Sequence, residues 1–236
     1  MSSDQLALLK AAEKDNAQTA QSVLEKCGNL DTSIQLGETA LWLFASMNNS
    51  EMVAMLIEKK ANPSTQDSDG KMALHWAAVH GNEAMCQKLL DANVDPDQAT
   101  IEEGLTALHM SCLHEHPGVC LILLKGKADA DIVTNYRRST ALHIAARNGS
   151  REQCEMLMSN GDKWQEDWCP ADGGKKDRSG KTAMEVANGT EVVLFLMSKR
   201  EEQHVCWVIL LAIKVSLYLS YACQIHKFDS DNRYIQ

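Results

Sequence analysis

A four-residue word recurs along this chain at nearly constant spacing, and that recurrence restricts the fold more than any other feature. It reads Thr39-Ala40-Leu41-Trp42, Met72-Ala73-Leu74-His75, Thr106-Ala107-Leu108-His109 and Thr140-Ala141-Leu142-His143, with first residues 33, 34 and 34 apart. Thr182-Ala183-Met184-Glu185 follows 42 residues later, and Leu6-Ala7-Leu8-Leu9 stands 33 before Thr39. A period near 33 with two short helices per unit marks a solenoid, whose units bury their apolar sides only against each other.

Each unit can be read in the same way. Gly37, Gly70, Gly104 and Gly180 stand two residues before their tetrads, where a turn needs positive φ. Thr opens a short helix, since its hydroxyl can cap free N–H groups. The small pairs Ala11-Ala12, Ala77-Ala78, Ser111-Cys112 and Ala145-Ala146 let neighbouring helices approach closely. A second helix carries Val23-Leu24, Leu56-Ile57, Leu89-Leu90, Leu123-Leu124 and Leu157-Met158. It should stop in a left-handed turn, for which Asn93 and Gly161 are well suited and Lys60 and Lys127 are not, so local strain is expected at the two lysines.

These features resemble ankyrin repeats, most closely over Thr106–Leu124 and Thr140–Met158. The resemblance implies an all-α solenoid of helix-turn-helix units with β-hairpin-like fingers, spanning residues 4–200. Six units would begin near residues 4, 37, 70, 104, 138 and 180, with a long finger over 161–180 and a tail over 201–236. One departure is systematic: Ala40, Ala73, Ala107, Ala141 and Ala183 stand where the family carries Pro. Ala gives up the fixed φ of Pro at the first helical turn but is the best helix former. The motif speaks for fold far more than for function.

Composition removes several classes. At 44% hydrophobic and 23% charged, the 236 residues are globular rather than disordered. With 23 Lys and Arg against 32 Asp and Glu, the net charge of −9 argues against nucleic acid as a partner. Eight cysteines follow an N-terminus without an apolar signal core, so reduced thiols and a cytoplasmic location are expected, and the glycosylation triplets at Asn48, Asn148 and Asn188 would be idle.

Periodicity also deflates the chemical candidates. His75, His109 and His143 recur every 34 residues at the fourth tetrad place, where an imidazole bridges backbone groups of adjacent units. Cys86, Cys120 and Cys154 recur at the same interval, as a packing position would. A zinc site drawn from Cys112, His114, His116 and Cys120 is therefore disfavoured. Gly180-Lys181-Thr182 resembles the end of a phosphate loop, but Lys175 stands where that loop needs Gly. No catalytic motif is present in sequence, and no cofactor, metal or small-molecule ligand is expected.

The resemblance implies a non-catalytic scaffold or adaptor that binds a partner protein through the concave groove. By register, Met47, Val79, Leu105 and Leu113 form an apolar strip there, flanked by His80, His114 and Tyr136. Glu102 and Glu103 lie to one side, and Arg137, Arg138 and Arg147 to the other. An apolar patch with a charged rim fits a protein-binding groove; the rival reading is scattered apolar residues on an ordinary surface. Trp164 and Trp168 in the long finger are either interface anchors or a hydrophobic clasp.

Residues 205–222 are predominantly apolar with Lys214 as their one charged residue, and Ser198-Lys199-Arg200 precedes them. Eighteen helical residues would span about 27 Å, near the thickness of a bilayer core. Lys214 at mid-span would cost about 2.5–3.5 kcal/mol. A membrane anchor, a buried cap on the last unit and a non-natural end all remain open. The corresponding functional alternatives are a tail-anchored adaptor and a regulatory fragment of a larger enzyme or channel.

Overall fold

The computed structural model describes residues 3–14, 16–24, 26, 30–33, 37–159 and 175–198. Trp164, Trp168, Gly161 and the apolar segment 205–222 lie outside them. Helices come in pairs: α1 (Ser3–Glu13) with α2 (Ala17–Leu24), α3 (Ala40–Ser46) with α4 (Ser50–Glu58), and α5 (Ala73–His80) with α6 (Glu83–Asp91). There follow α7 (Ala107–Leu113) with α8 (Pro117–Lys125), α9 (Ala141–Asn148) with α10 (Arg151–Ser159), and α11 (Ala183–Val186) with α12 (190–198). The first helices stack α1 on α3 on α5 on α7 on α9 on α11, while α4, α6, α8 and α10 stack as a second layer. Among the described residues there is no strand, only an isolated bridge between Ser33 and Thr39. No helix among them is long and apolar enough to cross a membrane.

The tetrads explain where the first helices begin. Thr39, Thr106, Thr140 and Thr182 are N-caps whose hydroxyls accept from the backbone N–H three residues on. Met72 holds the same place without a side-chain cap. The third tetrad residue points inward: Leu41, Leu74, Leu108 and Leu142 are all buried, each stabilising the stack by about 1.5–3 kcal/mol. Ala77, Ala78, Ala145, Ala146 and Cys112 have no exposed surface, so consecutive first helices close on one another without gaps. Leu56, Leu89, Leu123 and Leu157 do the same for the second layer, and all belong to one continuous core.

Chain reversals follow the turn chemistry. Gly37, Gly70, Gly104 and Gly180 have φ of 84, 78, 66 and 78°. In the fifth unit that place falls to Arg138, at φ 50°. Lys60, Asn93 and Lys127 end their helices at φ 65, 60 and 67°, a region costing an L-residue about 1–2 kcal/mol. The strain expected at the two lysines is thus located, with a further instance at Arg138.

Candidate functional site

The fingers are built from short polar turns. Asp67 and Asp177 accept from the backbone N–H groups two and four residues on, and Thr100 and Thr134 from that five residues on. Each of these four residues also donates its own N–H to the carbonyl just before the next tetrad, at 2.9–3.0 Å. Adjacent tips are then hooked together: Ile101 N–H donates to Asp69 O at 2.8 Å, Asn135 N–H to Glu103 O at 2.9 Å and Arg178 N–H to Arg137 O at 2.7 Å.

Behind the fingers stand the tetrad histidines, which are all buried. Nδ1 of His75, His109 and His143 accepts from the backbone N–H of Met72, Thr106 and Thr140. The proton therefore sits on Nε2, which donates to Leu105 O, Ile132 O and Lys181 O at 3.1–3.2 Å. Burial pushes all three below the ordinary imidazole range, His109 to about 4. Such neutral imidazoles hold units together and have no free nitrogen for catalysis or metal. Trp42, in the corresponding place of the second unit, meets Trp76 edge-on at 5.3 Å, and Trp76 stacks on His80 at 6.0 Å. The indole N–H groups of both tryptophans are buried without a hydrogen-bond partner. Sequence reading missed this aromatic row; the replacement of His by Trp was the signal.

At the C-terminal ends of the first helices, free carbonyls meet the next unit. His80 donates to Ser46 O at 2.7 Å, His116 to Val79 O at 3.0 Å and Asn148 to Cys112 O at 3.1 Å. His80 is thus half-buried and engaged within the stack, while His114 is exposed and lies parallel to His116. Of the apolar strip, Met47 and Leu113 are exposed, at 36% and 48%. Val79 and Leu105 are half-buried and pack on the core. Ile101, at 68% exposure, is an apolar fingertip that the register argument did not single out.

Tyr136 and Glu102, from neighbouring fingers, meet through a 3.1 Å hydrogen bond from the phenol to the carboxylate, and Glu103 is exposed beside them. Beyond them opens a cleft of 620 Å³ between the last two described fingers and helices α9 and α11. Tyr136, Arg137, Arg147 and Arg178 line it, with Lys181 and Val186. Its two carboxylates are satisfied locally. Asp177 accepts from the Ser179 hydroxyl and backbone N–H groups, which lowers its pKa, and lies 3.8 Å from Arg147. Glu185 accepts from the Thr182 N–H and hydroxyl, which keeps it ionised to lower pH. Among the described residues there is no cluster of His, Cys, Asp and Glu that would hold a metal.

A family model for ankyrin repeats matches residues 8–100 and 83–167. The chain is an ankyrin-repeat protein. No curated protein sequence matches it. Ankyrin repeats generally mediate protein–protein interaction and are typically non-enzymatic.

Proposed function

We propose that this ankyrin protein is a non-catalytic scaffold or adaptor that holds a partner protein across its fingertips and first helices, in the concave groove. The reading takes residues 4–200 as the repeat domain and 201–236 as a tail. One observation carries it: Leu113 closes α7 with 48% of its surface in water, and Met47 at the end of α3 and Ile101 and Tyr136 on the fingers are exposed as well. Exposed apolar side chains accompanied by Glu102, Glu103, Arg137 and Arg147 have the composition of an interface centre and rim.

The test is affinity capture with the intact chain beside Leu113→Asp and Tyr136→Ala. A partner of this face is lost with both variants while their melting temperatures stay near that of the parent. If every captured protein is retained by both variants, the groove reading is wrong.

A further inference from the structure

The cleft beside Tyr136 carries a charge opposite to that of the whole protein. The chain has a net charge of −9, yet four cations, Arg137, Arg147, Arg178 and Lys181, line this opening against Asp177 and Glu185. Each carboxylate is held through one oxygen, Asp177 Oδ1 by Ser179 and the Lys181 N–H and Glu185 Oε2 by Thr182, and the other Asp177 oxygen faces Arg147, so the four cations still outnumber them. The cations are less engaged. Arg178 reaches only the carbonyl of Tyr136, at 3.3 Å, and Arg137 and Lys181 form no ion pair among the described residues. Arg138 and Lys176 are exposed on the same two fingers.

We infer that this cleft receives a short acidic segment of the partner protein, its Asp or Glu carboxylates meeting Arg137, Arg178 and Lys181 and an apolar neighbour lying on the ring of Tyr136. The inference rests on the groove reading above and specifies its chemistry. Guanidinium forks match carboxylates in planar, two-bond geometry, and because Arg137, Arg178 and Lys181 are exposed such pairing is sensitive to salt. The cationic stretch is short. Glu102 and Glu103 stand on the next finger and Asp67 and Asp69 on the one before. A nucleic acid or a flat anionic membrane laid across the tips would meet all of those carboxylates, whereas a short peptide in the cleft meets Glu102 and Glu103 only at the Tyr136 end, where its apolar residue lies.

The experiment is fluorescence anisotropy of the full chain with a labelled Glu-rich peptide containing one Leu, and with its Gln-for-Glu counterpart. The Glu peptide is expected to bind, to weaken as salt rises and to lose about tenfold or more with R137E/R178E, while the Gln peptide stays unbound. Arg137→Gln with Lys181→Gln should give an intermediate loss, and circular dichroism of each variant should match the parent. Equal binding of the two peptides, or binding indifferent to charge reversal, overturns the inference. So does failure of the Glu peptide to compete when phosphatidylserine vesicles or duplex DNA hold the protein. A captured protein that is lost with Leu113→Asp but kept by R137E/R178E would sink this inference and leave the groove reading standing.

Discussion

The imidazole Nε2 of His143 lies 3.2 Å from the carbonyl oxygen of Lys181, so a single side chain ties α9 to the finger that leads into α11. The same ring accepts from the N–H of Thr140 through Nδ1. His143→Phe would strand a buried donor and an acceptor, a loss of about 1–3 kcal/mol. Because repeat stacks are stabilised neighbour by neighbour, the damage should concentrate in residues 182–198. Hydrogen exchange is expected to quicken there and to remain unchanged in α3 to α6.

Acid should loosen the stack in a defined window. His109 titrates near 4 when folded, against an ordinary 6.5, because burial disfavours its charged form. The unfolded chain therefore takes up the proton first as pH falls. The contribution is complete above 6.5 and is lost progressively toward 4, amounting to about 3 kcal/mol from this residue. His75 and His143 are shifted in the same direction and add to the slope. Urea midpoints taken at about pH 7.5 and about pH 4.5 should differ accordingly, and His109→Phe should flatten its share.

Two left-handed positions offer stability. Lys127 and Arg138 sit at φ 67 and 50°. Replacing either with Gly should raise stability by about 0.5–1 kcal/mol, after allowing for the flexibility glycine adds to the unfolded chain. The matching Ala variants, which keep the Cβ, should gain nothing in thermal melts.

Leu108 and Leu113 lie five positions apart in α7, with 1% and 48% of their surfaces exposed. Leu108→Ala is expected to cost about 2–5 kcal/mol through the cavity it leaves. Leu113→Asp should change stability by about 0.5 kcal/mol or less. A melt showing comparable losses would place Leu113 in the core and remove it from the binding face.

Four thiols should be inert in the native state. Cys86, Cys112, Cys120 and Cys154 are free and fully buried; burial pushes Cys86 and Cys154 up to about 12, while the hydrogen bond with Cys112 lowers Cys120, which only its burial protects. Thiol titration of the native chain at neutral pH should leave these four unmodified until denaturant is added.

The stack was legible in the sequence because repetition supplies many copies of one signal. Thr106, Leu108 and His109 mean little alone, but the same three types at Thr140, Leu142 and His143 expose the tetrad as a cap, an anchor and a bridge. Exposure was harder to read. Register put Val79 and Leu105 beside Met47 and Leu113, yet the first two pack on the core, because burial depends on the neighbouring unit's side chains and not on position within one unit. The cleft was half visible: Tyr136, Arg137 and Arg147 were marked, but Arg178 and Lys181 arrive from across the long connection. No local pattern encodes that approach.

The tip-to-tip bonds Asp69–Ile101, Glu103–Asn135 and Arg137–Arg178 join each finger only to the adjacent ones, like the teeth of a zip. Tension applied to the chain past residue 198 would meet one tooth at a time, so release should proceed stepwise from the Arg137–Arg178 end. A ligand bridging two tips would lock the slider in place, converting modest affinity into resistance against mechanical peeling.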